Sequence, residues 1–176
     1  MRILIVGAGA LGGYFGARLV NAGRDVTFLV RPRRAAQLAK TGLVVKSKLG
    51  DAHIPSPRLV LANEIAGAYD LVLVGSKAYD LAPTMESVAP AIGPKTAILP
   101  FLNGMQHIDA LSARFGAARV LGGLAFISAT LDDEGIVLHL NELHTLVYGE
   151  LDGSNSPRIA EIAATFAGAN FDARVS

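Results

Sequence analysis

The chain has 176 residues with 16 basic and 15 acidic side chains, a net charge of +1, no cysteine and 51% hydrophobic residues. That length suits one domain with a full core, and the charge balance, with no polybasic run beyond a short arginine cluster, argues against nucleic acid or an anionic membrane as partner. The lack of cysteine rules out a disulfide framework and a cysteine-based metal centre and fits a reducing, cytoplasmic compartment, while no apolar run approaches the roughly 18 residues that span a bilayer.

Residues 2–6 read as a buried strand that runs straight into Gly7-Ala8-Gly9-Ala10-Leu11-Gly12-Gly13. An apolar helical pattern of Leu11, Phe15 and Leu19 with small Ala17 and Ala22 follows, and Gly23 stops it. The glycine spacing also distinguishes this start from a secretory leader, since no small-residue cleavage site follows an apolar core. A G-x-G-x-x-G between strand and helix builds a seat for a dinucleotide pyrophosphate. Gly7 permits the tight turn, Gly9 lets the backbone approach the phosphates, Gly12 lets helix and strand pack closely, and the free N–H groups of the helix N-terminus face the anion. The candidate cofactor-binding residues here are Gly7, Ala8, Gly9, Ala10, Leu11 and Gly12; the plainer alternative is a glycine-rich packing turn with no ligand.

The second strand, residues 25–30, selects the nucleotide. Asp25 stands at its start, whereas the ribose lies beyond the carboxyl ends of the strands, where Arg31 is found. Arg31-Pro32-Arg33-Arg34 puts guanidinium groups where a 2′-phosphate would sit, which predicts NADP(H) rather than NAD(H). For Arg33 and Arg34 taken singly, solvation of the next helix is an equal alternative.

A helix over 35–40 ends at Thr41-Gly42, and strands 43–48 and 53–54 flank Leu49-Gly50-Asp51 as a small hairpin. A short strand at 58–62 precedes a buried run at 70–74 with a helix over 81–92, and a strand at 96–102 is followed by a helix over 105–115. The alternation predicts an α/β fold, a Rossmann-type doubly wound and mainly parallel sheet. From Arg119 the texture changes. Strands 120–131, 136–140 and 145–150, with a turn at Asp132-Asp133-Glu134-Gly135, predict an antiparallel C-terminal extension of that sheet. Ser156-Pro157 caps and starts a helix over 158–167, and 170–176 reads as a strand or linker. The nucleotide-binding domain is thus expected over 1–170, with 171–176 beginning a linker.

Lys77 and Asn103 follow buried strands at the end of the sheet where ligands bind. A lysine there supplies positive charge near a cofactor or anionic substrate, and an asparagine can bond the nicotinamide ribose and a substrate oxygen. By residue type alone, an exposed loop lysine and a helix-capping asparagine are the commoner readings. His107, one turn past Asn103, is the histidine nearest the expected cleft and a candidate proton donor, though a neutral structural histidine is the more frequent case. His53, His139 and His144 form no evident metal set, and no metal is predicted.

Taken together, Gly7-Ala8-Gly9-Ala10-Leu11-Gly12-Gly13, Arg31, Val74-Gly75-Ser76-Lys77-Ala78, Leu102-Asn103-Gly104-Met105, Gly122-Gly123-Leu124-Ala125-Phe126-Ile127-Ser128-Ala129 and Tyr148-Gly149-Glu150 resemble the ketopantoate reductase (2-dehydropantoate 2-reductase) family over essentially the whole chain. The N-G-M segment is far more specific than the glycine fingerprint. The resemblance implies NADPH-dependent reduction of a small 2-keto acid, ketopantoate, on the route to pantothenate and coenzyme A. It also implies that Arg31 matches the arginine on the 2′-phosphate, that Lys77 lies at cofactor and substrate, and that Asn103 contacts both. Family members continue into a helical second domain that carries the catalytic lysine, substrate-binding asparagines and a late glutamate, and this sequence ends before them. It is therefore expected to be the cofactor-binding half, with no catalytic residue of its own, able to bind NADPH but turning over negligibly. An NADP-dependent dehydrogenase of another small keto or imino acid and a non-catalytic nucleotide-sensing module are the alternatives. The mean hydropathy of +0.41 predicts a face that packs against a further domain or a second copy in a homo-oligomer.

Overall fold

The computed structural model describes residues 1–75, 80–101 and 105–176. A parallel five-stranded sheet has the order β5-β2-β1-β6-β7, built from β1 (Arg2–Val6), β2 (Asp25–Leu29), β5 (Leu59–Val60), β6 (Leu71–Val74) and β7 (Ala97–Pro100). Its central strands are continuous apolar runs because both faces are covered: Ile3 through Val6 and Leu71 through Val74 are all buried. On one face lie α3 (Leu81–Val88) and α4 (Gln106–Phe115), whose Leu81, Val88, Ile108, Leu111 and Phe115 pack with Leu4, Val72 and Ile98. The opposite face is covered by α1 (Ala10–Asn21).

Behind α1 stands a second sheet of order β10-β9-β3-β4, with β8 paired to β9. It comprises β3 (Leu43–Lys46), β4 (Ala52–Ile54), β8 (Leu121–Leu131), β9 (Val137–Glu150) and β10 (Asp172–Val175). Helix α1 is thus held between two sheets, and its small residues show how closely. A Cβ on Gly16 would run into the Phe28 ring of the first sheet, and one on Gly13 would come within 2.9 Å of Val137 Cγ2 in the second. The remaining helices are α2 (Pro32–Thr41) and α5 (Pro157–Phe166). Ser156 caps α5 by accepting from the Ile159 N–H, and Ile159, Ile162 and Phe166 join the main core.

The expected α/β fold is present, with informative differences. The antiparallel strands do follow the parallel ones, but they form a sheet of their own, linked to the first by an isolated parallel bridge between Ile98 and Val120. The 43–54 hairpin forms with Leu43 opposite Ile54 and belongs to this second sheet, where Val45 pairs with Val137. Segments 136–140 and 145–150 are one strand, β9, not two. The register against β8 jumps from Ile127↔His144 to Ala129↔His139, and the side chain of Asn141 fills the gap by accepting from the backbone N–H of Ser128 and of Leu143, each at 3.2 Å. What reads as a turn is an irregularity within a continuous strand. Helix α2 starts at Pro32 rather than residue 35, with Arg31 extended before it, and α3 gives way to a 3₁₀ turn over Ala89–Ala91 containing Pro90. Of the two readings offered for 170–176, strand and linker, residues 172–175 form the strand, in parallel register from Asp172↔Thr145 to Val175↔Tyr148.

Candidate nucleotide-binding site

A cleft of about 1020 Å³ opens at the carboxyl ends of the parallel strands, above the glycine turn. The turn is shaped by its glycines in different ways. Gly7 takes φ +89°, a conformation that side chains rarely adopt, and its N–H donates to the Leu29 carbonyl at 2.8 Å, which steers the chain out of β1. A Cβ on Gly12 would overlap the Gly7 carbonyl oxygen and lie 3.1 Å from Ile5 Cγ2, so this glycine is needed for helix and strand to meet. A Cβ on Gly9 would meet nothing within 4 Å. Its absence serves the open space over the turn, not the packing below it.

Gly9 is also the N-cap of α1 and provides no side-chain cap, and the first turn of the helix holds no acidic residue. The positive end of the helix and its unpaired N–H groups therefore face the cleft uncompensated. Ala8, Gly9, Ala10, Leu11 and Gly12 all line it, as do Val30, Arg31 and Arg34.

Arg31 closes β2 and stands at the cleft mouth, three-quarters exposed, with Nη2 at 3.8 Å from Asp80 Oδ1. Arg33 is exposed. Arg34 has a larger part than its sequence position showed. Its Nε donates to the Ala8 carbonyl at 2.9 Å and its Nη1 to the Gly135 carbonyl at 3.1 Å, so it braces the glycine turn against the β8–β9 turn. Its Nη2 is buried and has no partner. Burial lowers the pKa of this guanidinium from its ordinary value; an anion is the partner that a buried, unpaired guanidinium N–H lacks. Asp25, at the far end of β2, is engaged with Arg58 at 2.7 Å.

The far wall of the cleft comes from β8, through Ala125, Ile127, Ala129, Thr130 and Leu131. Nothing in the local sequence assigned β8 to the site. The signal available was its alternation, with Ala125, Ile127 and Ala129 half-buried between exposed neighbours. Lys77 and Asn103 lie outside the described residues. Gly75, Asp80 and Phe101, which border those segments, all line the cleft.

His107 does not line it. Its ring is 4% exposed, its Nε2 is buried without a partner, and burial pushes its pKa below the ordinary histidine value. This is a neutral structural histidine. Among the described residues no cluster of histidine, cysteine, aspartate or glutamate could hold a metal ion, and none of the helices is long and apolar enough to cross a membrane.

The open glycine turn, the uncapped helix end and the arginines beyond β2 fit a dinucleotide, and they define a Rossmann-type dinucleotide-binding domain. The family model for ketopantoate reductase PanE/ApbA matches residues 3–153, and the chain belongs to that family. An uncharacterized oxidoreductase of Bacillus subtilis, YkpB, is 44% identical over 100% of the chain and 57% of its own length. A 2-dehydropantoate 2-reductase of Mesorhizobium japonicum is 29% identical over 99% of the chain and 60% of its own length. The crystal structure of 2-dehydropantoate 2-reductase from Geobacter metallireducens shares the fold with a TM-score of 0.90 at 40% identity, covering 100% of this chain and 58% of that one. The chain thus spans between half and two thirds of the length of these relatives.

Proposed function

We propose that the chain is the cofactor-binding half of an NADPH-dependent reductase of a small 2-keto acid, with 2-dehydropantoate as the substrate and pantoate as the product. The observation that carries this reading is the cleft itself, with an anion seat at the glycine turn and cationic side chains, Arg31 and Arg34, beyond the second strand. Bound there, the nicotinamide would supply the hydride that reduces the keto carbon. The turn amides from Ala8 to Gly12 would hold the pyrophosphate, Arg31 the 2′-phosphate, and Arg34 would keep the turn in place. On the family resemblance, Lys77 and Asn103 would meet the nicotinamide ribose and the keto acid.

Reduction of a carbonyl also needs a proton donor held against the developing alkoxide. Among the described lining residues the ionisable groups are Arg31, Arg34 and Asp80. The guanidinium groups hold their protons too tightly to act as acids near neutral pH, and Asp80 faces Arg31. None of these described groups suits the role, and on the family resemblance the acid would come from a helical second domain. The cysteine-free composition and a dependence on reduced nucleotide agree with a cytoplasmic setting. The alternative is reduction of a different small keto or imino acid at the same cleft, and the similarity to the oxidoreductase YkpB is compatible with either substrate.

Calorimetric titration with NADPH and NADH, comparing the chain with its Arg31→Ala variant, tests the reading. NADPH is expected to bind more tightly, and the variant to lose about 1–3 kcal/mol of that preference, the worth of a hydrogen bond to a charged group. Failure of both nucleotides to bind would overturn it, and full turnover of ketopantoate by residues 1–176 alone would overturn the assignment as a half-enzyme.

A further inference from the structure

Asp80 is the N-cap residue of α3, a position where an aspartate carboxylate ordinarily accepts from an N–H of the first helical turn. It makes no such bond, and its backbone, at φ −92° and ψ 1°, is not in the extended conformation that capping uses. Its Oδ1 lies instead 3.8 Å from Arg31 Nη2, with the Asp80 side chain one-third exposed. Both side chains line the nucleotide cleft. The topology prepares this meeting: β2 and β6 flank β1 on either side, so the chain leaving β2 at Arg31 and the chain entering α3 at Asp80 border the glycine turn from opposite sides.

We propose that Asp80 is a specificity-determining residue that lowers the preference of this site for NADPH over NADH. The inference rests on the nucleotide-binding reading above and on Arg31 facing the 2′ position. In the free protein Asp80 is the counter-ion of Arg31. The pair is solvent-facing and loosely held, so a phosphate can displace the carboxylate. The phosphate must then pair with Arg31 while the displaced Asp80 carboxylate stays tethered nearby at the start of α3, and neighbouring like charges repel. A ribose 2′-hydroxyl meets the opposite situation, because a carboxylate is an acceptor for its proton. The same side chain therefore penalises the phosphorylated nucleotide and accommodates the unphosphorylated one.

The test is a binding measurement on the chain itself, titrated with NADPH and NADH and with the shorter probes 2′,5′-ADP and 5′-AMP, at low and high salt. Asp80→Asn removes the charge at constant shape and keeps a residue suited to the N-cap position; Asp80→Ser is the second variant should the first unfold. The expected result is roughly five- to tenfold tighter binding of NADPH and of 2′,5′-ADP, as loss of a partly screened like charge should give. NADH and 5′-AMP should stay within about twofold or weaken, and the gain should shrink at high salt. An unchanged or reduced NADPH-to-NADH ratio in the folded variants overturns the role of Asp80 and leaves the nucleotide site standing. Absence of binding by every probe, to wild type and variants alike, overturns the site itself.

Discussion

Two glycines of the same turn should respond oppositely to the same added methyl group. At Gly9 the backbone, at φ −81° and ψ −156°, suits any L residue, and a Cβ would meet nothing within 4 Å. Gly9→Ala should therefore change the unfolding free energy by less than about 1 kcal/mol, with a small gain if the reduced freedom of the unfolded chain dominates. The methyl would occupy the space through which a phosphate approaches the turn amides, and nucleotide affinity should fall at least about tenfold, or ~1.4 kcal/mol. At Gly12 the Cβ would overlap the Gly7 carbonyl oxygen and press on Ile5 Cγ2 at 3.1 Å. A backbone oxygen cannot rotate aside, so β1 and α1 must separate, at a cost of about 2–4 kcal/mol, the upper part of the range for overpacked cores. Urea unfolding followed by circular dichroism reads the stability, and calorimetry with NADPH reads the binding. Wild-type affinity in Gly9→Ala would refute the phosphate seat and reduce the turn to a packing device; wild-type stability in Gly12→Ala would refute the close contact of β1 and α1.

Arg34→Met should cost about 1–3 kcal/mol of stability in urea unfolding, because the Ala8 and Gly135 carbonyls lose their guanidinium donors, and NADPH affinity should fall with it; undiminished stability would show that the brace is dispensable. Tyr14→Phe should cost about 1–3 kcal/mol, since it leaves Arg18 Nη2 and His144 Nδ1 without the hydroxyl they share, and a neutral result by the same assay would break that network as a stabilising element. Burial holds the pKa values of His107 and His144 below the ordinary histidine value, so the unfolded chain takes up protons first as pH falls. The stability that these neutral rings provide should be complete above about pH 7 and decline below about 6.5. Urea midpoints measured from pH 8 to 5 should drop over that interval, and His107→Leu should flatten the slope; a midpoint constant across the range would contradict the burial of both rings.

How much of this was legible depended on distance along the chain. The turn from β1 into α1 is written in consecutive residues, and the parallel strands in apolar runs such as Leu71 to Val74 that no solvated strand would carry. The second sheet is not local. Val45 pairs with Val137, and the Arg34 brace reaches a carbonyl 101 residues away, so neither has a periodicity to betray it. Asn141 and Glu142 interrupt the apolar pattern of β9 as a turn would, and only the bonds from Asn141 to both strands reveal a continuous strand with an irregular register. In the glycine turn, the demands on Gly7 and Gly12 are local, a positive φ at one and a close approach to the Gly7 carbonyl and Ile5 at the other. Arg34 and Asp80 were not readable, because their partners come from other elements.

The hydrogen bonds along α1 tie the nucleotide seat to the second sheet. Arg18, buried at 4% exposure, donates from Nη2 to the Tyr14 hydroxyl oxygen at 3.1 Å and to the Gly50 carbonyl at 2.7 Å. A guanidinium only donates, so the Tyr14 proton is free for His144 Nδ1, 2.7 Å away. With that ring nitrogen as acceptor, His144 is neutral and protonated at Nε2, a form that agrees with its lowered pKa, caused first by burial and then by the charge of Arg18. Beside it, His139 donates from Nε2 to the Leu143 carbonyl, and its Nδ1 shares a hydrogen bond of 2.7 Å with the Ser47 hydroxyl, whose oxygen accepts from the Leu49 N–H. The bonds run unbroken from Arg18 through Tyr14 to His144, although the buried Arg18 Nε has no partner of its own. The helix whose N-terminus faces the cleft is thereby locked to β9 and the β3–β4 turn, and β9 carries β8, the wall opposite the glycine turn. Floor and wall of the cleft are held by one network, so a proton added to His144 removes the acceptor for Tyr14 and loosens the helix from the sheet that completes the site.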